Sequence, residues 1–259
     1  ARFAQPTVGL VNNAQREHQE FMATVEAVAL ENGQVICALP TDGVAVYPAQ
    51  DDYAPLWQRL AGSRKSITFG FQEGDVQAHE IAWTAGAWQF NLWTAKECLP
   101  CRLSIAGRHN VLNALAATAC ALAAGMKLSQ IVKGLQSFEA VKGRSKSWEW
   151  QIDGHQFTLV DDTYNANPDS VRAAIDVLAE LPTPRLLVLG VMGEVGQKGP
   201  EFHAEVGAYA KARGIEALLT LGDLCHHSSL AFEGAKHFSD METLQQYVLV
   251  HIAEHKSLV

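Results

Sequence analysis

"VDDTYNANPDSVRAAIDVL", residues 160–178, passes from the end of an apolar run through a crowd of polar groups into a helical pattern. Asn167 followed by Pro168 reads as a helix N-cap and a first helical residue, so the stretch is a strand end, a loop and a helix start. The same rhythm continues downstream. The pattern predicts a helix over 168–181, a strand over 185–190, a helix over 201–213, a strand over 217–221 and helices over 224–233 and 240–255. Strand and helix alternating at this spacing imply a parallel sheet with helices on its faces, a Rossmann-like architecture. Just upstream, "WEWQIDGHQFTLVDD" reads as a hairpin with Asp153-Gly154 at its turn.

Further upstream the character changes. "TVGLVNN" is a short strand opening into a loop, residues 19–38 have helical spacing through Phe21, Val25, Val28 and Leu30, and "GVAVYPA" supplies another strand. From Ile67 to Ile105 the aromatic-rich alternation of "IAWTAGAWQFNLWTA" predicts antiparallel strands, with Ala85, Gly86 and Ala87 as a hairpin turn. Residues 109–136 return to helix, with a break at Gly125. The polar, basic "EAVKGRSKS" at 139–147 separates the two regions near Gly143, giving domains 1–140 and 141–259. The fold class is α/β: a mixed sheet with an antiparallel portion and helices, then the Rossmann-like parallel sheet.

A 48% hydrophobic content over 259 residues supports one large domain or two ordinary ones. Net charge of -8 argues against general affinity for nucleic acid or acidic membranes and leaves room for a local basic phosphate pocket. No apolar run approaches the ~20 residues of a membrane span, and the opening "ARFAQPTVG" lacks a signal-peptide pattern, so a cytoplasmic protein is expected. The five cysteines are odd in number and scattered, which suits reduced thiols; Cys98 and Cys101 form the one CxxC, on a strand-like stretch without further ligands at zinc spacing. The chain lacks an initiator Met and stops on "HKSLV", a strand start, so it is expected to be a piece of something longer.

Ligands gather at the carboxyl ends of strands in open parallel sheets. "VDDTYNANP" sits at such an end, and so does "GVMGEVG" at 190–196. The latter is G-x-x-G-x-x-G, which is not a dinucleotide fingerprint and reads better as a substrate loop. Its carboxylate, Glu194, is either solvated or substrate-facing. In "GRHNVLNALAA" at 107–117, Arg108, His109 and Asn110 open a helix whose positive end suits an anion or a purine edge; Asn110 is equally readable as a cap. His18 follows the first strand and is either structural or a metal ligand. The pairs His251/His255 and His226-His227 belong to surface and packing. No phosphate-cradling G-x-x-x-x-G-K-[ST] occurs.

Taken together, "GRHNVLNALAA", "VKGR", "DDTYNANPDSVRAAIDVL" and "LVLGVMGEVG" resemble the Mur ligases over nearly the whole chain. Within that family the likeness is greatest to the branch that joins D-alanyl-D-alanine to UDP-N-acetylmuramoyl-tripeptide in peptidoglycan precursor synthesis. The resemblance implies a uridine-binding domain, a central ATPase domain and a Rossmann-like C-terminal domain, of which this chain would hold the later part of the second and most of the third. It implies ATP and magnesium, an acyl phosphate attacked by the dipeptide amine, and a monomer. By resemblance His18 would ligate magnesium, Asn110 would read the adenine edge beside His109, and Arg144 would reach the ATP phosphates. Asp162 would hold the ribose hydroxyls, while Tyr164, Asn165 and Asn167 would lie at the nucleotide and dipeptide site. Two departures stand out: Asn32 falls where many members carry a carbamylated lysine, and "PAQ" at 48–50 replaces the usual "NAD". Two rivals make different predictions. A cyanophycin-synthetase-like or folylpolyglutamate-like ligase would differ around "GVMGEVG", and a non-catalytic nucleotide-binding module would have no phosphate loop in its gene.

Overall fold

A computed structural model describes residues 3–17, 20–84, 86–152 and 154–259; His18 and the expected turn residues Ala85 and Asp153 lie outside the described residues. Contacts divide the chain into two compact units, Ala1–Gln15 with Met22–Glu139, and Arg16–Phe21 with Ala140–Val259.

The first unit contains β1 (Val8–Leu10), α1 (Val25–Asn32), α2 (Gln34–Cys37), β2 (Val44–Pro48), α3 (Ala54–Ala61) and β3 (Lys65–Gly70). It continues with β4 (Val76–Thr84), β5 (Ala87–Thr94), β6 (Cys98–Leu103), α4 (Arg108–Ala123) and α5 (Leu128–Gln136). The six strands pair in sequence order, parallel from β1 to the start of β4 and antiparallel from β4 to β6. The strand holding Ile67 therefore joins the parallel part, and the antiparallel region is shorter than its alternation implied. The helix expected from residue 19 begins only at Val25, because Thr24 is extended and its hydroxyl caps the Ala27 amide at 3.1 Å. Phe21, counted toward that helix, is 75% exposed. Fully buried Trp57 fastens α3 to α1 by donating from Nε1 to the Ala29 carbonyl at 2.9 Å.

The second unit contains β7 (Lys146–Ile152), β8 (His155–Asp161), α6 (Pro168–Ala179), β9 (Arg185–Leu189), α7 (Gly199–Ala212), β10 (Ala217–Leu221), α8 (Cys225–Phe232), β11 (Lys236–Phe238), α9 (Met241–His251) and β12 (Ser257–Leu258). Its sheet order is β11-β10-β9-β12-β8-β7, parallel except for the β7–β8 hairpin. Alternate residues of each central strand serve opposite cores. Leu187, Leu189 and Leu218 pack with residues of α6, α7 and α8, whereas Leu186 and Leu219 pack with Leu244 of α9 and Ile252. The sheet is thus covered on both faces. One strand exceeds the expected set. β11 forms between the helices expected over 224–233 and 240–255, and the strand that "HKSLV" was expected to start is inserted at the middle of the sheet, where Ser257 pairs with both Thr158 and Arg185.

Helix α6 starts as its sequence dictates. The Asn167 side chain accepts from the Ser170 amide at 2.8 Å, and the Ser170 hydroxyl accepts from the Asn167 amide at 2.9 Å. Asn167→Ala should lower stability by about 1 kcal/mol, the usual worth of such a cap, measured as a shifted urea midpoint for the second unit.

Candidate functional site

The carboxyl ends of β8 and β9 open into a cleft of about 340 Å³ in the second unit, floored by Leu187, Val188 and Leu189. One wall carries Asp162, Tyr164 and Asn165; the other carries Gly190, Val191 and Gly193. The first wall is shaped by two successive aspartates that do different work. Asp161 accepts from the Gly143 amide at 3.0 Å and from the Thr163 hydroxyl at 2.6 Å. Asp162 accepts from both the amide and the hydroxyl of Ser145, at 2.9 and 3.1 Å. The Tyr164 amide closes the set by donating to the Gly143 carbonyl at 3.1 Å. Burial resists ionisation of Asp161, but the Thr163 and Gly143 hydrogen bonds and the charge of Lys142 together hold its carboxyl below the ordinary range.

Gly143 is required here. Its φ is +78°, and a Cβ would come within 3.1 Å of the Tyr164 backbone. The same cross-link stacks the Arg144 guanidinium on the Tyr164 ring, 3.9 Å from the centroid, with both side chains exposed. A planar cation on an aromatic face beside a strand-end cleft offers a stacking surface and an anion contact together.

The structure therefore gathers Arg144, Asp162, Tyr164 and Asn165 in one place. Asn165 turns its Oδ1 back to the Ala166 amide at 3.0 Å, and the Asn167 oxygen serves the helix cap. Glu194 is exposed, has φ of +54°, and does not line the cleft as Gly190 and Gly193 do.

In the first unit, Asn110 and His109 lie in the opening turn of α4. Gly107 occupies the cap position, so Asn110 is not the cap; its Nδ2 reaches back to the Ala106 carbonyl at 2.7 Å and lies 3.1 Å from His109 Nε2. Asn113 donates to Asn110 Oδ1 at 3.1 Å, and Asn12, just past β1, donates to Asn113 at 3.0 Å. These amides form a chain from the end of β1 to the start of α4.

His18, the candidate metal ligand, lies outside the described residues. They contain no group of three or more His, Cys, Asp or Glu side chains that could hold an ion, and Asn32, at the lysine position, donates to the Asn13 carbonyl at 3.2 Å. Cys98 and Cys101 face opposite sides of β6, the first exposed and the second buried with its thiol pushed up to about 11 by burial.

Three residues escaped the sequence reading. Asp51, past the end of β2, accepts from the Tyr53 amide at 2.8 Å; burial raises its carboxyl pKa despite the Tyr53 and Ala14 amides. A doubled aspartate after a strand was the available signal. His203 and Arg16 had none, since their partners are distant in sequence. His203, fully buried in α7, accepts at Nε2 from the Met192 amide at 3.1 Å and donates from Nδ1 to the Gly199 carbonyl at 2.7 Å. Nε2 thus anchors the loop that forms the second wall, while Nδ1 ties the ring to the first turn of its own helix. Arg16 is bound to Asp169 and Glu205, with its Nη1 2.6 Å from Glu205.

Two α/β units, one with a mixed sheet and one with a doubly covered sheet that has a strand-end cleft, define the class of open-sheet folds in which ligands bind at the carboxyl ends of the strands. Residues 1–121 match the Mur ligase middle domain and residues 148–259 match the Mur ligase, glutamate ligase domain. The chain belongs to the Mur ligase family. It is 37% identical over 252 residues to the UDP-N-acetylmuramoyl-tripeptide–D-alanyl-D-alanine ligase of Escherichia coli (strain K12), covering 96% of this chain and 55% of that protein. The enzyme of the same name from Haemophilus influenzae is 33% identical, over 96% of this chain and 53% of its own length. A crystal structure of MurF from Acinetobacter baumannii superposes with a TM-score of 0.89 at 31% identity, over 99% of this chain and 56% of that one. The chain spans about half the length of the curated relatives it matches. Among the described residues, no helix is long and apolar enough to cross a membrane.

Proposed function

We propose that this chain is part of an ATP-dependent ligase that joins D-alanyl-D-alanine to UDP-N-acetylmuramoyl-tripeptide, working as a monomer in the cytoplasm. The reading rests on one observation: the Gly143–Ser145 and Asp161–Tyr164 segments are laced together so that Arg144, Tyr164 and Asp162 meet at the strand-end cleft. The likeness to ligases named for that reaction supports it. We take the domains to be residues 1–140 and 141–259.

A tripeptide carboxylate oxygen attacks the γ-phosphorus of ATP, and ADP departs. The dipeptide amine then attacks the acyl carbon; the C–N bond forms, the C–O bond to phosphate breaks, and the amine proton passes to a base. In this scheme Arg144 contacts phosphate, Asp162 accepts from the ribose hydroxyls, and Tyr164 and Asn165 flank the nucleotide. Asn167 contributes through the helix start it caps, and Glu194 is the carboxylate of the dipeptide loop. His109 and Asn110 meet the adenine edge once Asn110 exchanges its bond to Ala106. Magnesium, with His18 as its candidate ligand, would offset phosphate and carboxylate charge.

The test uses the complete reading frame of the gene. Phosphate release should require both the UDP-linked tripeptide and D-alanyl-D-alanine; equal release with free L-alanine or glutamate would count against the substrate assignment. Asp162→Ala should raise the ATP KM about tenfold, the loss of roughly 1.4 kcal/mol of hydrogen bonding. An unchanged ATP KM would remove the ribose role.

A further inference from the structure

We propose that Arg16 is a positioning residue that holds the two walls of the strand-end cleft in register. It is joined to the helix that follows each wall. Its Nε and backbone amide each lie 3.0 Å from an oxygen of Asp169, in the first turn of α6, immediately after the wall that carries Asp162 and Tyr164. Its Nη1 and Nη2 donate to the two oxygens of Glu205 at 2.6 and 2.9 Å, on α7, the helix that follows the Gly190–Gly196 wall. Four residues on, the Glu20 amide donates to the carbonyl of Glu194 at 3.1 Å, within that second wall.

The chemistry requires a guanidinium. One planar fork can satisfy two carboxylates at once in fixed geometry, whereas an ammonium is a single point charge on a flexible stem. Arg172 also donates to Glu205, at 2.9 Å, but its guanidinium lies over the Tyr209 ring at 4.3 Å, so Glu205 keeps a partner without Arg16. Asp169 does not keep a direct ion pair among the described residues. Without Arg16, then, the Asp169 end of α6 loses its link to Glu205, the two helices are left with the Arg172–Glu205 pair and the Asp176 contacts farther along, and the Glu20–Glu194 bond loses the anchor beside it. The role within catalysis rests on the function proposed above; the register of the walls does not.

Amide hydrogen exchange on the 259-residue chain tests the register, comparing wild type with Arg16→Gln, Arg16→Lys and Asp169→Asn. Exchange at Glu20 and across residues 190–196 should rise about tenfold in Arg16→Gln and nearly as much in Arg16→Lys, while the sheet amides of Leu187 and Leu219 stay protected. Adding Asp169→Asn to Arg16→Gln should give little further rise, as expected if both act through one contact. Unchanged wall exchange, or an equal rise in the sheet amides, would overturn the proposal. In turnover by the product of the complete reading frame, Arg16→Gln should raise the dipeptide KM about tenfold and change kcat less. Failure of the wild-type protein to turn over the dipeptide would overturn the functional reading, and the exchange experiment would still decide the role of Arg16.

Discussion

Replacing Gly207 with alanine should lower the melting temperature of the second unit by about 10 °C. Gly207 lies in α7 where that helix meets α8, and a Cβ there would stand 2.2 Å from the Ser228 carbonyl oxygen and 2.7 Å from Ser228 Cα. Both obstacles are backbone, so no side chain can swing aside. The helices would have to separate, and separation breaks the buried bond from the Ser228 hydroxyl to the His203 carbonyl, now 2.7 Å. Overpacking usually costs about 1–3 kcal/mol, and contact with rigid backbone puts this case at or beyond the upper end. Alanine's better helix propensity returns about 1 kcal/mol. A net loss near 2–3 kcal/mol, at about 4 °C per kcal/mol for a unit of this size, gives the expected shift. A thermal melt unchanged within 2 °C, on the order of 0.5 kcal/mol, would mean that α7 and α8 are not packed this closely.

His203→Leu should destabilise the same unit by about 3 kcal/mol, through a buried Met192 amide left without its acceptor and an imperfectly filled site. This loss should depend on pH. Burial, chiefly, pushes the His203 pKa below its ordinary value of 6.5, with nearby His227 adding to the effect and the Gly199 carbonyl opposing it. In the window below pH 6.5 the unfolded chain takes up a proton that the folded one refuses, so the folded state loses stability as pH falls toward the depressed pKa. Above that window the contribution is complete. Urea midpoints at pH 8 and pH 5 should therefore draw closer together in His203→Leu than in wild type, with half-buried His255, whose pKa is lowered chiefly by burial, contributing to what pH dependence remains. Equal differences in both proteins would show that His203 is not held neutral.

The sequence was most informative where structure is local. The cap at Asn167 and the β7–β8 hairpin register follow from neighbouring residues, and the strand-end rule located the cleft because it needs only a strand and the loop after it. It was less informative where contacts are long-range. β11 has three residues, too few for a period to emerge, and the strand start in "HKSLV" gave no sign that it belongs between β8 and β9. Phe21 fitted a helical spacing, but the extended Thr24 stops the helix short of it. Arg16 sits in a polar stretch with nothing to distinguish it from a solvated cation until Asp169 and Glu205 are brought to it. His203 looks like one more helical histidine until folding closes the Met192 loop over its ring.

The placement of Ser257 and Leu258 between β8 and β9 bears on how the protein is made. β8 and β9 are not neighbours in the sheet; each pairs with β12 instead. While the ribosome is still working through α9, the nascent chain therefore holds two apolar strands whose inner edges have nothing to bond to. Contacts between residues so far apart in the chain form slowly, and open edges recruit strands from other molecules in the meantime. This unit should depend on chaperone cover until residue 258 has emerged, and ribosome-stalled chains ending before Ser257 should aggregate where chains carrying β12 do not.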